Sequence, residues 1–435
     1  MIENDHKIRR SLKRSLFNDI FANITGGFSD TFIAPYALAM RASPSLIALL
    51  VAVPSITGSC VQLASAALTE RLGSRKRLIV ISIFCHILMW IPLIAVPYVV
   101  PSNTVIVFIF LYAIYVSFGA TQVPAWSSLM ADLVPKTKRG TVFGWRNRLF
   151  GIINASSMLI AGYILSRYKG NPIAGFTVIF SVAFVARIIS WYFVTRMYEP
   201  PLSIRQEHKF TMVQFLRRVP KSNFGRFVVF VASMNFAVNI SGPFFAVLML
   251  KDLGFGYLKY TVITTTATLT ILFMMKAWGR QADQVGNRKV LRFTSYFLPF
   301  MPLLWLFSHD LWYLIAVQVF AGLFWSGFNL SASNFIYDAV TPEKRTRCIA
   351  YFNVINGLAI FSGASLGGLL IKVVPAVCGY KILSIFVISS VLRMCIVVFL
   401  PRVKEVRRVR DVSNRDLLYG VLGIRPLFSL SDGKE

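Results

Sequence analysis

The sequence predicts an all-α polytopic membrane protein: twelve transmembrane helices in two pseudo-symmetric six-helix halves. Composition is the first reason. Of 435 residues, 56% are hydrophobic and 15% charged, with a mean hydropathy of +0.62, whereas a soluble domain carries about a quarter charged residues. The second reason is length, since the chain holds twelve stretches near the roughly 20 apolar residues a helix needs to cross a bilayer. The third is duplication. A short charged loop between two such stretches returns at the matching point of the second half of the chain, as in proteins built from internal repeats.

The expected spans are 17–40, 46–68, 78–100, 104–131, 141–166 and 173–196 in an N-terminal half (1–197), then 226–250, 257–278, 290–309, 311–338, 348–373 and 379–400 in a C-terminal half (226–400). The segment 198–225 reads as a cytoplasmic linker. It opens on Pro200-Pro201, and Phe210, Met212, Phe215 and Leu216 among basic residues suggest a short helix on the membrane surface. The segment 401–435 reads as a basic, polar cytoplasmic tail that needs no core. Charged Met1–Leu16 leads into a polar-studded helix rather than a short apolar core with a small-residue cleavage site, so the first helix is expected to stay on the protein.

A formal charge of +28 in a soluble protein would suggest nucleic acid. Here the basic residues sit in short connections between apolar spans. With the N-terminus inside, 36 Lys and Arg fall in cytoplasmic segments and seven outside: Arg41, Arg167, Lys169, Lys251, Lys259, Lys372 and Lys381. Arg187, Lys276 and Arg393 lie within spans. The bias places both termini in the cytoplasm and makes membrane lipids, with no nucleic acid, the expected partner of the basic residues. Five cysteines without a CxxC pair or His/Cys cluster support neither a disulfide framework nor a metal site. No glycine-rich phosphate loop or nucleophile–base arrangement points to an enzyme, and no cofactor is implied.

The repeated loop runs Ala66-Ala67-Leu68-Thr69-Glu70-Arg71-Leu72-Gly73-Ser74-Arg75-Lys76 and then Gly279-Arg280-Gln281-Ala282-Asp283-Gln284-Val285-Gly286-Asn287-Arg288-Lys289. Asp132 to Gly140, with its acid, proline and basic turn, recurs as Asp338 to Arg345. Both copies of the loop resemble the signature of the major facilitator superfamily, which joins helices 2 and 3 and helices 8 and 9. The second copy keeps the family glycine and aspartate as Gly279 and Asp283; the first has Ala66 and Glu70, which leaves the charge in place but lets the helices approach less closely. The resemblance covers about Phe17 to Leu400. It implies the twelve-helix fold, alternating access, a monomer, and a multi-pass location in a bacterial-type plasma (inner) membrane. It also implies a cytoplasmic gate at Ala66, Glu70, Arg71, Gly73, Arg75, Gly279, Asp283, Gly286 and Arg288, with Glu70 facing the segment near Arg347 and Asp283 facing Arg139–Thr141.

Polar residues kept inside spans face a protein interior or a water-filled cavity. Asp19, Asn23, Gly26, Gly27 and Asp30 stack on one face of the first span over about 16 Å. Asn235, Asn239 and Gly242 repeat the pattern in the seventh, Tyr115, Gly119, Gln122 and Trp126 mark the fourth, and Gln318, Gly322, Asn329 and Ser333 the tenth. In the resembling family, helices 1, 4, 7 and 10 line the central cavity, so Asp19, Asn23, Asp30, Gln122, Trp126, Asn235, Asn239, Gln318 and Asn329 are the expected cavity set. For any single amide, interhelical hydrogen bonding is the competing account.

Asp19 lies within a turn of the membrane boundary, where Arg14 or water explains it. Asp30 lies about 20 Å deep with no basic residue at that depth on the cavity helices. Such a carboxyl can pass protons between the two sides, or hold a cationic substrate. Arg187 and Arg393, at equivalent points of the repeat, read as structural residues snorkelling to the interface. Arg146 and Arg148 read as partners of the signature acids or anchors to headgroups. His86 reads as a satisfied buried histidine, and Gly357, Gly363, Gly367 and Gly368 as a packing stripe. Proton-linked drug antiporters of the family carry an arginine midway along helix 4 and a glycine-proline motif in helix 5; here those places hold Tyr115 and Gly151-Ile152-Ile153-Asn154. The expected function is secondary transport of a small solute, coupled to protons through Asp30. The alternative is a non-transporting receptor or assembly factor on the same scaffold.

Overall fold

A computed structural model of the chain describes residues 2–135, 139–201, 211–220, 222–398, 403–406 and 412–423. The basic pair Lys136 and Lys138, Phe210 of the linker, and Arg407, Arg408, Arg410 and 429–435 of the tail lie outside that set. The described residues are helical, without a sheet. In order they form α1 (Ile2–Ser29), α2 (Ile33–Ala39), α3 (Pro44–Leu72), α4 (Arg75–Leu88), α5 (Trp90–Val99), α6 (Thr104–Leu133), α7 (Arg139–Arg167), α8 (Pro172–Thr195) and α9 (Met212–Arg218). There follow α10 (Asn223–Ser241), α11 (Phe244–Val247), α12 (Tyr257–Val285), α13 (Asn287–Ser295), α14 (Phe300–Leu303), α15 (Leu311–Ala339), α16 (Pro342–Val373), α17 (Lys381–Val397) and α18 (Asn414–Leu422).

Among the described residues, nine helical stretches are long and apolar enough to cross a membrane. Of the other three expected spans, two are helical but interrupted and the third is a shorter helix among the described residues. At 17–40, α1 is polar, begins at Ile2 and gives way to a 3₁₀ turn, Asp30–Phe32, before α2. At 290–309, α13 stops at Ser295 ahead of Pro299 and α14 is four residues long, because proline supplies no N–H and clashes with the preceding turn. At 379–400, α17 is 17 residues long.

The two halves of the chain meet along α3 with α16 and α7 with α12. Glycines allow the first contact. A Cβ at Gly357 would lie 2.1 Å from Ser59 Oγ and one at Gly368 2.8 Å from Ala48, while Gly363 and Gly367 press against the backbone carbonyls of Phe236 and Ile240 on α10. Within the halves, α1 packs on α7 and α8, α6 on α3 and α4, α10 on α16 and α17, and α15 on α12 and α13.

The terminal face carries the α3–α4 and α12–α13 connections and α18; the distal face is opposite. At the distal face one buried apolar cluster crosses the halves, joining Phe28, Tyr36, Phe108 and Phe176 to Phe244, Leu248, Tyr260 and Phe386. Toward the terminal face the buried clusters separate. One holds Leu78, Ile79, Leu129 and Val194 of the first half, and another Phe227, Trp278, Leu291 and Phe335 of the second.

The linker helix α9 buries Phe215 in the second-half cluster, against Phe224 and Tyr351, while its Val213 and Leu216 stay exposed. One expectation changes here. The tail does contribute to a core: α18 buries Leu417 and Val421 in the same cluster and packs on α12.

Candidate functional site

Asp30 sits where the first span breaks. Pro35 has no N–H for the Thr31 carbonyl four residues back, and the backbone tightens there into the 3₁₀ turn. The freed carbonyl accepts a hydrogen bond from Tyr260 Oη of α12 at 3.0 Å, across the two halves. Asp30 itself accepts one from Ser29 Oγ at 3.1 Å, and the described residues give it no ion pair. Its side chain is solvent-accessible. Asn154 stands close by: a Cβ at Gly26 would lie 3.1 Å from Asp30 Oδ2 and 3.2 Å from Asn154 Nδ2. Tyr112 and Tyr115 of α6 and Arg187 of α8 are within electrostatic reach of the carboxyl. Tyr115 stacks on His86 with centroids 3.8 Å apart and meets Trp90 edge-on at 5.1 Å. His86 is buried, but its Nδ1 has no partner, so it is not the satisfied histidine expected.

Asp19 belongs to a different structure. Its Oδ2 lies 2.5 Å from Arg146 Nη2, and the two side chains are 17% and 5% exposed. Arg146 Nη1 donates to Ser15 Oγ at 2.9 Å, Asn18 Nδ2 to Asp19 Oδ1 at 2.8 Å, Ser190 Oγ to Asn18 Oδ1 at 2.7 Å, and Arg187 Nη1 to Ser190 Oγ at 3.3 Å. A polar chain thus ties α1 to α7 and α8. The partner of Asp19 is Arg146 rather than Arg14, which donates to the Arg196 carbonyl. Arg146 is therefore neither a headgroup anchor nor a partner of the signature loops. Arg187 and Arg393 do not snorkel; both are buried. Arg393 donates to the Leu298 carbonyl at 3.0 Å and to Ser241 Oγ at 2.9 Å. Pro302 is the reason that carbonyl is free, since it stands four residues on and lacks an N–H.

The remaining cavity amides divide by partner. Asn23 donates to the Asp19 carbonyl, Asn239 to the Asn235 carbonyl, and Asn235 to Asn356 Oδ1 of α16 at 3.0 Å. Gln122 and Gln318 are half-buried and Asn329 is exposed. Trp126 packs on the first-half terminal cluster. Above Asp30 the distal end is sealed by Tyr36, with Phe108, Phe176 and Phe180 at centroid distances of 5.3, 5.1 and 5.0 Å. Tyr257 from the other half stands edge-on to Phe176 at 5.4 Å. Pro97 frees the Leu93 carbonyl, which takes the Tyr36 hydroxyl at 3.4 Å.

Two broken helices at the pseudo-symmetric positions of Asp30 and Pro243, and a duplicated loop, call for a family built from two repeats. The profile of the Major Facilitator Superfamily matches residues 20–238 and again 225–430. The chain belongs to the Major Facilitator Superfamily. Among solved structures, the fold is similar to two of the nucleoside transporter NupG, at TM-scores of 0.70 and 0.67 and identities of 12% and 13%, covering 90% of this chain and 100% and 98% of theirs. It is also similar to the human organic anion transporter MFSD10 (TETRAN), at a TM-score of 0.61 and 12% identity, covering 90% of this chain and 99% of that one. A curated relative, Efflux pump azaK of Aspergillus niger, is 28% identical over 111 residues, 26% of this chain and 24% of that protein. The match therefore spans about a quarter of the relative's length. Family and neighbours mark a multi-pass membrane transporter rather than an enzyme.

In this superfamily chain the turn glycine of each signature loop takes a backbone angle that other residues rarely adopt: Gly73 closes α3 at φ 61° and Gly286 stands between α12 and α13 at φ 87°. Each following helix starts on a glutamate from beyond the half's last span. Glu199 accepts from Ser74 Oγ at 2.5 Å and from the Arg75 N–H at 2.7 Å; Glu405 accepts from the Arg288 N–H at 2.8 Å. Buried Arg75 also pairs with Asp132 at 2.5 Å, and Asn287 donates to Asp338 at 2.7 Å. A carboxylate there offsets the positive end of the helix. The sequence reading missed Glu199 and Glu405, although both are offset by 206 residues, as Asp132 and Asp338 are.

Ala66, Glu70, Arg71 and Asp283 are exposed at the terminal face. Glu70 makes no ion pair among the described residues, and the side chains of 139–141, expected opposite Asp283, lie outside them. A Cβ at Gly279 would meet only Leu330, at 3.7 Å. Alanine therefore fits the second copy too, and the expected loss of close approach at Ala66 does not follow.

Proposed function

We propose that this chain is a secondary active transporter that moves a small solute across the membrane by alternating access, with Asp30 as its coupling or cation-binding carboxyl. The observation that carries the reading is the placing of Asp30: solvent-accessible, without an ion pair among the described residues, and beside the Thr31 backbone carbonyl, which a hydrogen bond from the opposite half holds. A group there changes its exposure when the halves part, because Tyr260 and the aromatic seal must then move away. Such a carboxyl takes a proton or cation from one side and gives it to the other. The shared distal cluster and separate terminal clusters correspond to one end of that cycle. With the Lys and Arg bias putting both termini in the cytoplasm, that end is the inward-facing one. The signature loops, with the acids Glu70 and Asp283, then act as the cytoplasmic gate, and Gln122, Gln318 and Asn329 supply polar contacts in the cavity.

The test is reconstitution in liposomes with a solute panel, with and without a pH gradient. The parent protein should accumulate at least one solute under the gradient. Asp30→Asn should abolish gradient-driven accumulation while insertion and folding are retained; an Asp30→Asn protein that still concentrates solute places coupling elsewhere.

A further inference from the structure

Five of the seven basic residues assigned to the distal connections, Arg41, Arg167, Lys169, Lys251 and Lys259, line one cavity of about 1120 Å³. It opens between the halves above the aromatic seal: Leu38–Ala42 and Tyr163–Lys169 come from the first half and Leu250–Lys259 from the second. No acidic residue lines it; Asp252, adjacent to Lys251, is exposed outside the lining. Basic residues are expected to be scarce on this side of a membrane protein, and gathering most of them in one concavity adds like-charge repulsion that a bound anion relieves.

The local structure holds several of these cations in place. Arg41, exposed in the turn between α2 and α3, takes the left-handed backbone at φ 63°, unusual for a residue with a side chain. Arg167 donates to Tyr163 Oη at 2.5 Å, with its guanidinium 5.0 Å from the ring centroid. Lys259 Nζ stands 3.6 Å above the Phe255 ring. Contacts of both kinds hold a cation without neutralising it. Leu250 and Lys251 lie in a π-helical turn, Leu248–Asp252, a feature that often marks a functional site.

We propose that this cavity binds an anion bearing phosphate groups, bridging Arg41, Arg167 and Lys169 of one half to Lys251 and Lys259 of the other. The site is separate from Asp30 and does not depend on what the transporter carries. An anion held across the halves favours the distally closed arrangement, since it replaces repulsion by charge-assisted bonds.

The source of the phosphate is either a soluble anion or a lipid headgroup, and one experiment distinguishes them. Full-length protein is placed in nanodiscs of phosphatidylcholine and titrated with inorganic pyrophosphate, and in parallel placed in nanodiscs with a minor fraction of phosphatidylglycerol, whose retained lipid is measured by native mass spectrometry. Saturable pyrophosphate binding identifies a soluble-anion site; selective retention of phosphatidylglycerol identifies a headgroup site. In either case Arg167→Gln/Lys259→Gln should weaken binding at least tenfold, and Lys372→Gln/Lys381→Gln, distal but outside the cavity, should leave it unchanged. Should the first pair not fold, Lys169→Gln/Lys251→Gln, on exposed side chains, replaces it with the same expectation. The proposal is overturned if neither probe binds, or if the control pair loses binding to the same extent.

Discussion

The ion pair between Asp19 and Arg146 should set the stability of the first half. Arg146 is 5% exposed, and besides Asp19 it has Ser15 Oγ as acceptor. Asp19→Asn removes the charge that pairs with that guanidinium among the described residues and leaves a buried cation without it. Breaking a buried pair from one side costs about 3–5 kcal/mol. Asparagine keeps an oxygen for Arg146, which puts Asp19→Asn near the lower end, about 3 kcal/mol. Arg146→Gln leaves the carboxylate with the Asn18 amide and, at 17% exposure, some water, for about 2 kcal/mol. In the double variant neither charge is stranded, so its cost should fall short of the sum by at least about 1 kcal/mol. The assay is reversible unfolding in mixed micelles followed by helix content, where 3 kcal/mol is roughly a 150-fold change in the unfolding equilibrium. Single variants as stable as the parent, or a double variant equal to the sum, would refute the pair's role.

Further outcomes follow from the same geometry. Tyr260→Phe removes the donor to the Thr31 carbonyl; a hydrogen bond worth about 0.5–1.5 kcal/mol should shift the balance roughly twofold to twelvefold toward the distally open state, and distal cysteine accessibility equal to the parent's would contradict that. Arg393→Gln should destabilise by about 2–3 kcal/mol, because the Leu298 carbonyl loses a charged donor; an unchanged unfolding transition would show that the break before α14 is satisfied otherwise. Gly363→Ala places a Cβ 2.2 Å from the Phe236 carbonyl and should cost about 1–3 kcal/mol by overpacking, whereas Gly279→Ala, with 3.7 Å to Leu330, should be silent. Equal unfolding curves for these two would refute the packing argument.

Membrane class, the approximate position of nine of the expected spans, and the duplicated signature loop were legible in the sequence, because hydropathy is a local sum and a repeat is read along one dimension. Asp30 could be singled out for the same reason, since its expected depth is residues times helical rise. Even the break beside it is written in the order Thr31 to Pro35, since proline's missing N–H acts at a fixed distance back. What fills such a vacancy is not local. Tyr260 reaches Thr31 from 229 residues away and Arg146 reaches Asp19 from 127, and both pairings depend on how each helix is rotated about its axis and where it crosses its neighbour. Arg187 was read as snorkelling because its span looked peripheral, yet its face turns inward to Ser190. The tail looked polar, yet Leu417 and Val421, one helical turn apart, found an apolar face on the second half. Spans follow from composition over a window, but partners follow from azimuth and crossing, which only the packed bundle decides.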